Sequence, residues 1–164
     1  MTATWWRQES PIGMLTVLAG DRGVQRIDFG SGALVAGAGV DGAAEGCDDE
    51  VAAELDEYFA GRRRRFTMPV DLSAVYGAFP RAVYETLHRD VTWGETVSYG
   101  ELAEMAGRAG AARAVGNAMS RNPVPIVVPC HRVVAAGDRI GGYGVSGVPT
   151  KRFLLSLEGV ELPG

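Results

Sequence analysis

Over the first thirty residues the apolar side chains fall in extended runs and not at helical spacing. Residues 5–29 read as strands. Met14-Leu15-Thr16-Val17-Leu18 and Val24-Gln25-Arg26-Ile27-Asp28-Phe29 flank Gly20-Asp21-Arg22-Gly23, which predicts a hairpin. Residues 30–46 are so rich in Gly and Ala that no face could be buried, predicting a mobile loop. From 49 to 60 the period changes. Val51, Leu55, Tyr58 and Phe59 recur at i, i+4, i+7 and i+8, acids occupy the first turn and Gly61 closes the predicted helix. Arg62, Arg63, Arg64 and Arg65 follow at its negative end, read as a solvated cation cluster in preference to a phosphate contact. Residues 68–72 look like an extended linker, which places a domain boundary near 75.

Beyond that boundary the pattern is helical. Pro80 opens a helix with Val83, Tyr84 and Leu87 inward and His88 at the surface near its end. Ser98 and Glu101 fit a capping box, so a short helix should run over 99–106 with Leu102 and Met105 inward. A Gly-containing turn leads to a second helix over 111–120, and the pair carries a helix-turn-helix signal. In the second helix Ala112, Val115 and Met119 form the inward stripe. Arg113, Gly116, Asn117 and Ser120 then share another face, suited either to a flat or grooved partner or to a neighbouring helix.

Composition narrows the classes. The 164 residues are 46% hydrophobic and 22% charged, enough for one or two compact soluble domains. No apolar run has membrane-spanning length and no signal-peptide pattern opens the chain, so a cytoplasmic protein without membrane contact is expected. The two cysteines and two histidines lack zinc-ligand spacing, and neither a metal nor a cofactor is expected. The net charge of −4 divides into −5 for residues 1–75 and +1 for residues 76–164. From 106 to 137 there is no acid, while Arg108, Arg113, Arg121 and Arg132 all lie there. This is either a local positive face or a chance gap in an Ala/Gly-rich stretch.

The stretch with chemistry is Pro123-Val124-Pro125-Ile126-Val127-Val128-Pro129-Cys130-His131-Arg132. Its prolines stiffen the approach, and Ile126, Val127 and Val128 are apolar enough for a short buried strand. An inert core cysteine is the ordinary reading. Against it, His131 and Arg132 would set an imidazole and a permanent cation beside the sulfur, which favours thiolate, and Pro129 removes a ladder donor. Making a thiolate at neutral pH from a pKa of ~8.5 costs about 2 kcal/mol, and an apolar setting adds to that. A proton acceptor is therefore needed. His131 can serve if the chain turns sharply or a water bridges the two groups, since adjacent side chains of an extended strand point apart.

Ala111-Ala112-Arg113-Ala114-Val115-Gly116, Gly94-Glu95-Thr96-Val97-Ser98-Tyr99 and Arg121-Asn122-Pro123 through Pro129-Cys130-His131-Arg132-Val133 resemble the O6-alkylguanine-DNA alkyltransferases, also called methylated-DNA protein-cysteine methyltransferases. The resemblance covers 76–160 well. It implies an α/β (α+β) fold with two domains: residues 1–75 a small ribonuclease-H-like α/β domain, and residues 76–164 a winged helix-turn-helix domain that takes up the alkyl group. The implied partner is duplex DNA containing O6-alkylguanine, with O4-alkylthymine as a further substrate. The protein is expected to be a monomer in solution, with cooperativity on DNA left open.

The resemblance also implies site roles. Cys130 would be the alkyl acceptor, His131 its base and Glu158 the carboxylate orienting the histidine. Arg113 would fill the stack vacated by a flipped-out nucleotide, Tyr99 would assist extrusion and donate to the purine, and Asn122 would brace the active-site turn. The carbonyls of Cys130 and Val133 would read the exocyclic amine, Gly116, Asn117 and Ser120 would line the DNA face, and Tyr143 would open the pocket loop. Here that loop, Tyr143 to Pro149, is one residue longer than the family pattern, which bears on Gly144 and Ser146. The reaction implied is one stoichiometric transfer that consumes the protein. Three alternatives compete: a sensor that binds alkylguanine and recruits other repair factors, a cysteine hydrolase built on Cys130 and His131, and a structural DNA-binding protein without chemistry.

Overall fold

The computed structural model describes residues 3–30, 43–143 and 147–163. The predicted loop at 30–46 thus lies largely outside the described residues, as do Gly144 and Ser146. The chain divides into two compact units, Met1–Ala74 and Val75–Gly164.

In the first unit, β1 (Thr4–Gln8), β2 (Leu15–Gly20), β3 (Gly23–Phe29) and β4 (Ala44–Glu45) form a sheet in the order β3-β2-β1-β4. The hairpin expected from the glycine-bracketed turn is β2–β3, antiparallel. Val24 and Ile27 are both buried although three residues apart. The register shifts between Leu18 and Ala19, and this extra residue puts both side chains on the same face. Ala44 and Glu45, expected in the loop, add a short parallel strand to β1. The helix α1 (Asp49–Phe59) starts where Asp48 accepts the amides of Glu50 and Val51, and it buries Val51, Leu55 and Tyr58.

Residues 68–72 are not a free linker. Val24 donates to Pro69 O at 3.0 Å and Asp71 donates back to Val24 O at 2.8 Å, so this segment lies along the edge of β3. Gly23 permits the approach, because a Cβ there would stand 2.3 Å from Pro69 O. Nor is the arginine run wholly solvated. Arg63 pairs with Glu57 at 3.1 Å and Glu54 at 3.6 Å, and Glu54 also accepts from Thr67, so this cation fastens the chain leaving α1.

In the second unit, α2 (Ala78–Asp90) buries Val83, Tyr84 and Leu87, with Pro80 in its first turn where a missing N–H costs nothing. β5 (Val97–Ser98) leads into α3 (Tyr99–Met105), whose capping box is complete between Ser98 and Glu101. α3 and the next helix, α4 (Ala112–Ser120), pack on each other and on α2. Two inward assignments shift. Met105 is 43% exposed and Ala103 takes its place, since α3 is only seven residues long. In α4 the buried pair is Val115 and Ala118, with Met119 half-buried. Tyr84 donates to Ala118 O at 2.6 Å, which draws that side of α4 inward. β6 (Val133–Val134) pairs in parallel with β5, and α5 (Gly147–Leu157) closes the unit with Leu154 and Leu155 buried. Among the described residues no helix is long and apolar enough to cross a membrane.

Candidate active site around Cys130

The residues before Cys130 are buried as expected but do not form a strand. Three prolines leave too few N–H groups for a ladder, and Ile126 sits at a φ of 76°, outside the extended region. The chain folds back on itself. Val128 donates to Val124 O at 2.9 Å, and Cys130 donates to Val128 O at 2.8 Å across Pro129. With φ −82° and ψ 68°, Pro129 has the geometry of an inverse γ-turn. Residues Cys130–Arg132 then make one turn of 3-10 helix that delivers the chain into β6. Because β6 pairs with β5, and β5 runs straight into α3, the cysteine turn is tied to the start of the helix pair.

A positive φ at a β-branched residue is strained and persists only when its surroundings hold it. Two side chains do so. Asn122 donates to Val128 O at 2.8 Å and accepts from Val124 N at 3.0 Å, spanning the strained residue. His88, expected at the surface, reaches over from α2 and donates through Nδ1 to Val127 O at 2.9 Å.

Cys130 is buried, with 6% of its surface exposed, and its sulfur stands 3.7 Å from the Tyr143 hydroxyl. Burial pushes the thiol up from its ordinary value, against the hydrogen bonds of Asn122 and Tyr143 and the charge of Lys151, which pull it back. The cation expected beside the sulfur is therefore not Arg132. That side chain points the other way, donating from Nε to Glu158 Oε1 at 2.8 Å, from one terminal nitrogen to Glu158 Oε2 at 3.0 Å, and from the other to Val91 O at 2.7 Å. Of the four arginines in the acid-free stretch, Arg108, Arg113 and Arg121 remain exposed, and Arg132 is buried and neutralised.

His131 is fully buried and donates from Nε2 to Glu158 Oε2 at 2.7 Å. Burial drives its pKa down, only partly offset by the carboxylate, so the ring is a neutral imidazole. With Nε2 carrying the proton, Nδ1 is a lone-pair acceptor, and among the described residues this buried atom has no hydrogen-bond partner. Glu158 lies just beyond α5 and is buried, contrary to the solvated position usual for such a residue. Burial opposes its charge, but the His131 hydrogen bond and the Arg132 fork outweigh it and hold the carboxyl well below the usual glutamate range.

Tyr99 opens α3 half-buried, its hydroxyl pushed up by burial and by the nearby Cys130. The carbonyls of Cys130 and Val133 each already accept one bond, from Val133 N and from Lys151 Nζ at 2.6 Å, leaving each oxygen a second lone pair. On α4, Arg113, Asn117 and Ser120 are exposed and Gly116 is half-buried, and a Cβ at Gly116 would meet nothing within 4 Å. The small residue is thus not required by packing against a neighbouring helix. His88, expected at the surface, thus serves the cysteine turn, and Lys151 is a site residue with no role expected from the sequence. For Lys151 a signal existed, since Lys151, Leu154, Leu155 and Glu158 occupy i, i+3, i+4 and i+7, the spacing of one helical stripe running along α5 to the residue just past its end.

Residues 78–160 match the profile of the 6-O-methylguanine DNA methyltransferase DNA binding domain, and residues 7–72 that of the ribonuclease-like domain of the same family. The chain belongs to the 6-O-methylguanine DNA methyltransferase family. A methylated-DNA–protein-cysteine methyltransferase of Methanosarcina acetivorans is 38% identical over 154 residues, which is 92% of this chain and 95% of the relative. One from Mycobacterium leprae is 48% identical over 109 residues, 66% of this chain and 64% of that relative's length. The crystal structure of Mycobacterium tuberculosis OGT in complex with DNA superimposes with a TM-score of 0.79 at 35% identity, covering 94% of this chain and 92% of that one. The mixed helix-and-strand, two-domain architecture is that of the 6-O-methylguanine DNA methyltransferases.

Proposed function

We propose that this protein repairs DNA by direct reversal, moving the alkyl group of O6-alkylguanine, and of O4-alkylthymine, from duplex DNA onto Cys130 once per molecule. The observation that carries the reading is the buried thiol of Cys130 on a braced turn, next to a histidine whose free nitrogen is a proton acceptor. The thiol proton passes to His131 Nδ1 through a bridging water. Sulfur attacks the alkyl carbon, the carbon–O6 bond breaks, and its electron pair leaves with the purine, which takes a proton from Tyr99. The product is a thioether without a carbonyl for water to attack, so the protein is consumed.

Residues 76–164 carry this chemistry, and residues 1–75 form the accompanying ribonuclease-H-like domain. Glu158 orients His131, and Asn122 braces the turn through its two backbone bonds. Arg113 enters the gap left by the extruded nucleotide, whose turning out costs a few kcal/mol and least where the lesion pairs badly. Gly116, Asn117 and Ser120 lie against the DNA, which fits the absence of a packing reason for Gly116. The free lone pairs on the Cys130 and Val133 carbonyls accept the exocyclic amine, and Tyr143 borders the pocket. The protein acts as a monomer, without cofactor or metal.

Incubation with a duplex containing one O6-methylguanine, followed by intact mass and peptide mapping, tests the proposal. A gain of one methyl per molecule on Cys130 is the expected result. Tight lesion binding with no mass gain would instead identify a sensor that recruits other repair factors.

A further inference from the structure

Lys151 is the single lysine of the chain and is 1% exposed. Its ammonium donates to Val133 O at 2.6 Å and to Gly142 O at 3.1 Å, and among the described residues no carboxylate pairs with it. Glu158 lies on the same stripe, but its two oxygens are taken by His131 and Arg132. Two carbonyl dipoles do not neutralise a buried ammonium, which is costly to keep without an anion.

The surroundings of Lys151 point to one anion. Val133 follows directly on the Cys130–Arg132 turn, and Gly142 precedes Tyr143, whose hydroxyl meets the Cys130 sulfur. A Cβ on Gly141 would stand 3.4 Å from the Tyr99 hydroxyl and 3.5 Å from Lys151 Nζ, and Nζ lies 5.9 Å from the Tyr99 ring centre. The titratable groups around the ammonium are therefore Cys130 and His131 from the turn, Tyr99 from α3 and Tyr143 from the segment before α5. Of these, burial keeps His131 neutral and raises the Tyr99 hydroxyl, and a phenol is a far weaker acid than a thiol, which leaves the sulfur.

We propose that Lys151 is the built-in counter-ion of the Cys130 thiolate, stabilising it as the thiol proton leaves while fixing the Val133 carbonyl beside it. In agreement, burial lowers the Lys151 ammonium to about 8, and Cys130 is the charge that acts in the opposite direction. The two groups titrate as a pair. The proposal deepens the alkyl-acceptor reading and rests on it only in taking Cys130 as the nucleophile.

The test begins from a Cys47→Ser background, so that iodoacetamide reports on Cys130 alone. In Lys151→Met the pH midpoint of alkylation should rise by about one unit, with alkylation at neutral pH about ten-fold slower, and Lys151→Arg should restore most of the rate. An unchanged midpoint in a folded Lys151→Met protein would overturn the proposal. A second measurement needs no substitution at 151. Because the chain has one lysine, its side-chain NMR signal is unique, and blocking Cys130 with iodoacetamide should lower the Lys151 midpoint by about one unit. No movement would equally overturn the counter-ion. Methyl transfer from the lesion duplex is scored separately. Its absence together with a Lys151 shift would reject the alkyl-acceptor reading and leave the ion pair standing.

Discussion

The guanidinium of Arg132 grips both oxygens of Glu158, at 2.8 and 3.0 Å, while His131 donates to one of the same oxygens at 2.7 Å. Since Arg132 already neutralises the carboxylate, Glu158 does not need a proton on His131 to be compensated. The imidazole can remain a neutral acceptor although it is buried together with both charged partners.

This arrangement makes Glu158 a stability determinant with a defined pH signature. Its carboxyl lies below the ordinary range in the folded state, so its contribution is fully present above the unfolded glutamate value and is lost as pH falls toward the lowered folded value. Chemical denaturation from about pH 6 down to about pH 3 should show this loss in the wild type and not in Glu158→Gln. At neutral pH the variant leaves Arg132 buried without its anion and should be less stable by about 3–5 kcal/mol.

Arg113 is exposed on α4 and is not needed by the fold. Arg113→Ala should slow repair in duplex DNA by about ten-fold or more and change reaction with free O6-methylguanine base less than about two-fold, with an unaltered Tm. Equal effects on both substrates would remove the residue from base extrusion.

Asn122 bonds both sides of the strained Ile126. Asn122→Ala should cost about 1–3 kcal/mol in stability, and should also slow transfer from the free base, because Cys130 is held through that turn. A stability loss with an unchanged rate would make the asparagine a scaffold residue only.

Gly23 stands where a Cβ would be 2.3 Å from Pro69 O, at a φ of 122°. Gly23→Ala should separate the 68–72 segment from β3 and lower stability by about 2–4 kcal/mol, measured by denaturation. Transfer from the free base should be unaffected in the folded fraction.

Much of the fold was legible because it is written locally. The β2–β3 hairpin follows from its bracketed turn, the start of α3 from the capping box, and the burial of α1 from its periodicity. The failures have physical causes. Residues 126–128 were apolar enough for a short strand, but the flanking prolines and a positive φ at Ile126 fold the stretch into turns. Residues 68–72 had linker composition, yet a glycine on β3 admits them to the sheet edge.

At the site, the order of residues by itself determined that a thiol, an imidazole and a guanidinium follow one another after a stiffened approach, and that a small-residue helix carrying Arg113 precedes them. Only the tertiary structure decided what each charge faces. Arg132 turns to Glu158 across 26 residues, His88 reaches Val127 across 39, and Lys151 comes from 18 residues downstream to stand beside the turn. Local spacing fixes the face of an element on which a side chain stands. The partner of a buried charge is fixed by which elements pack together, because in a dry interior each ion must meet the polar group that the fold brings within reach.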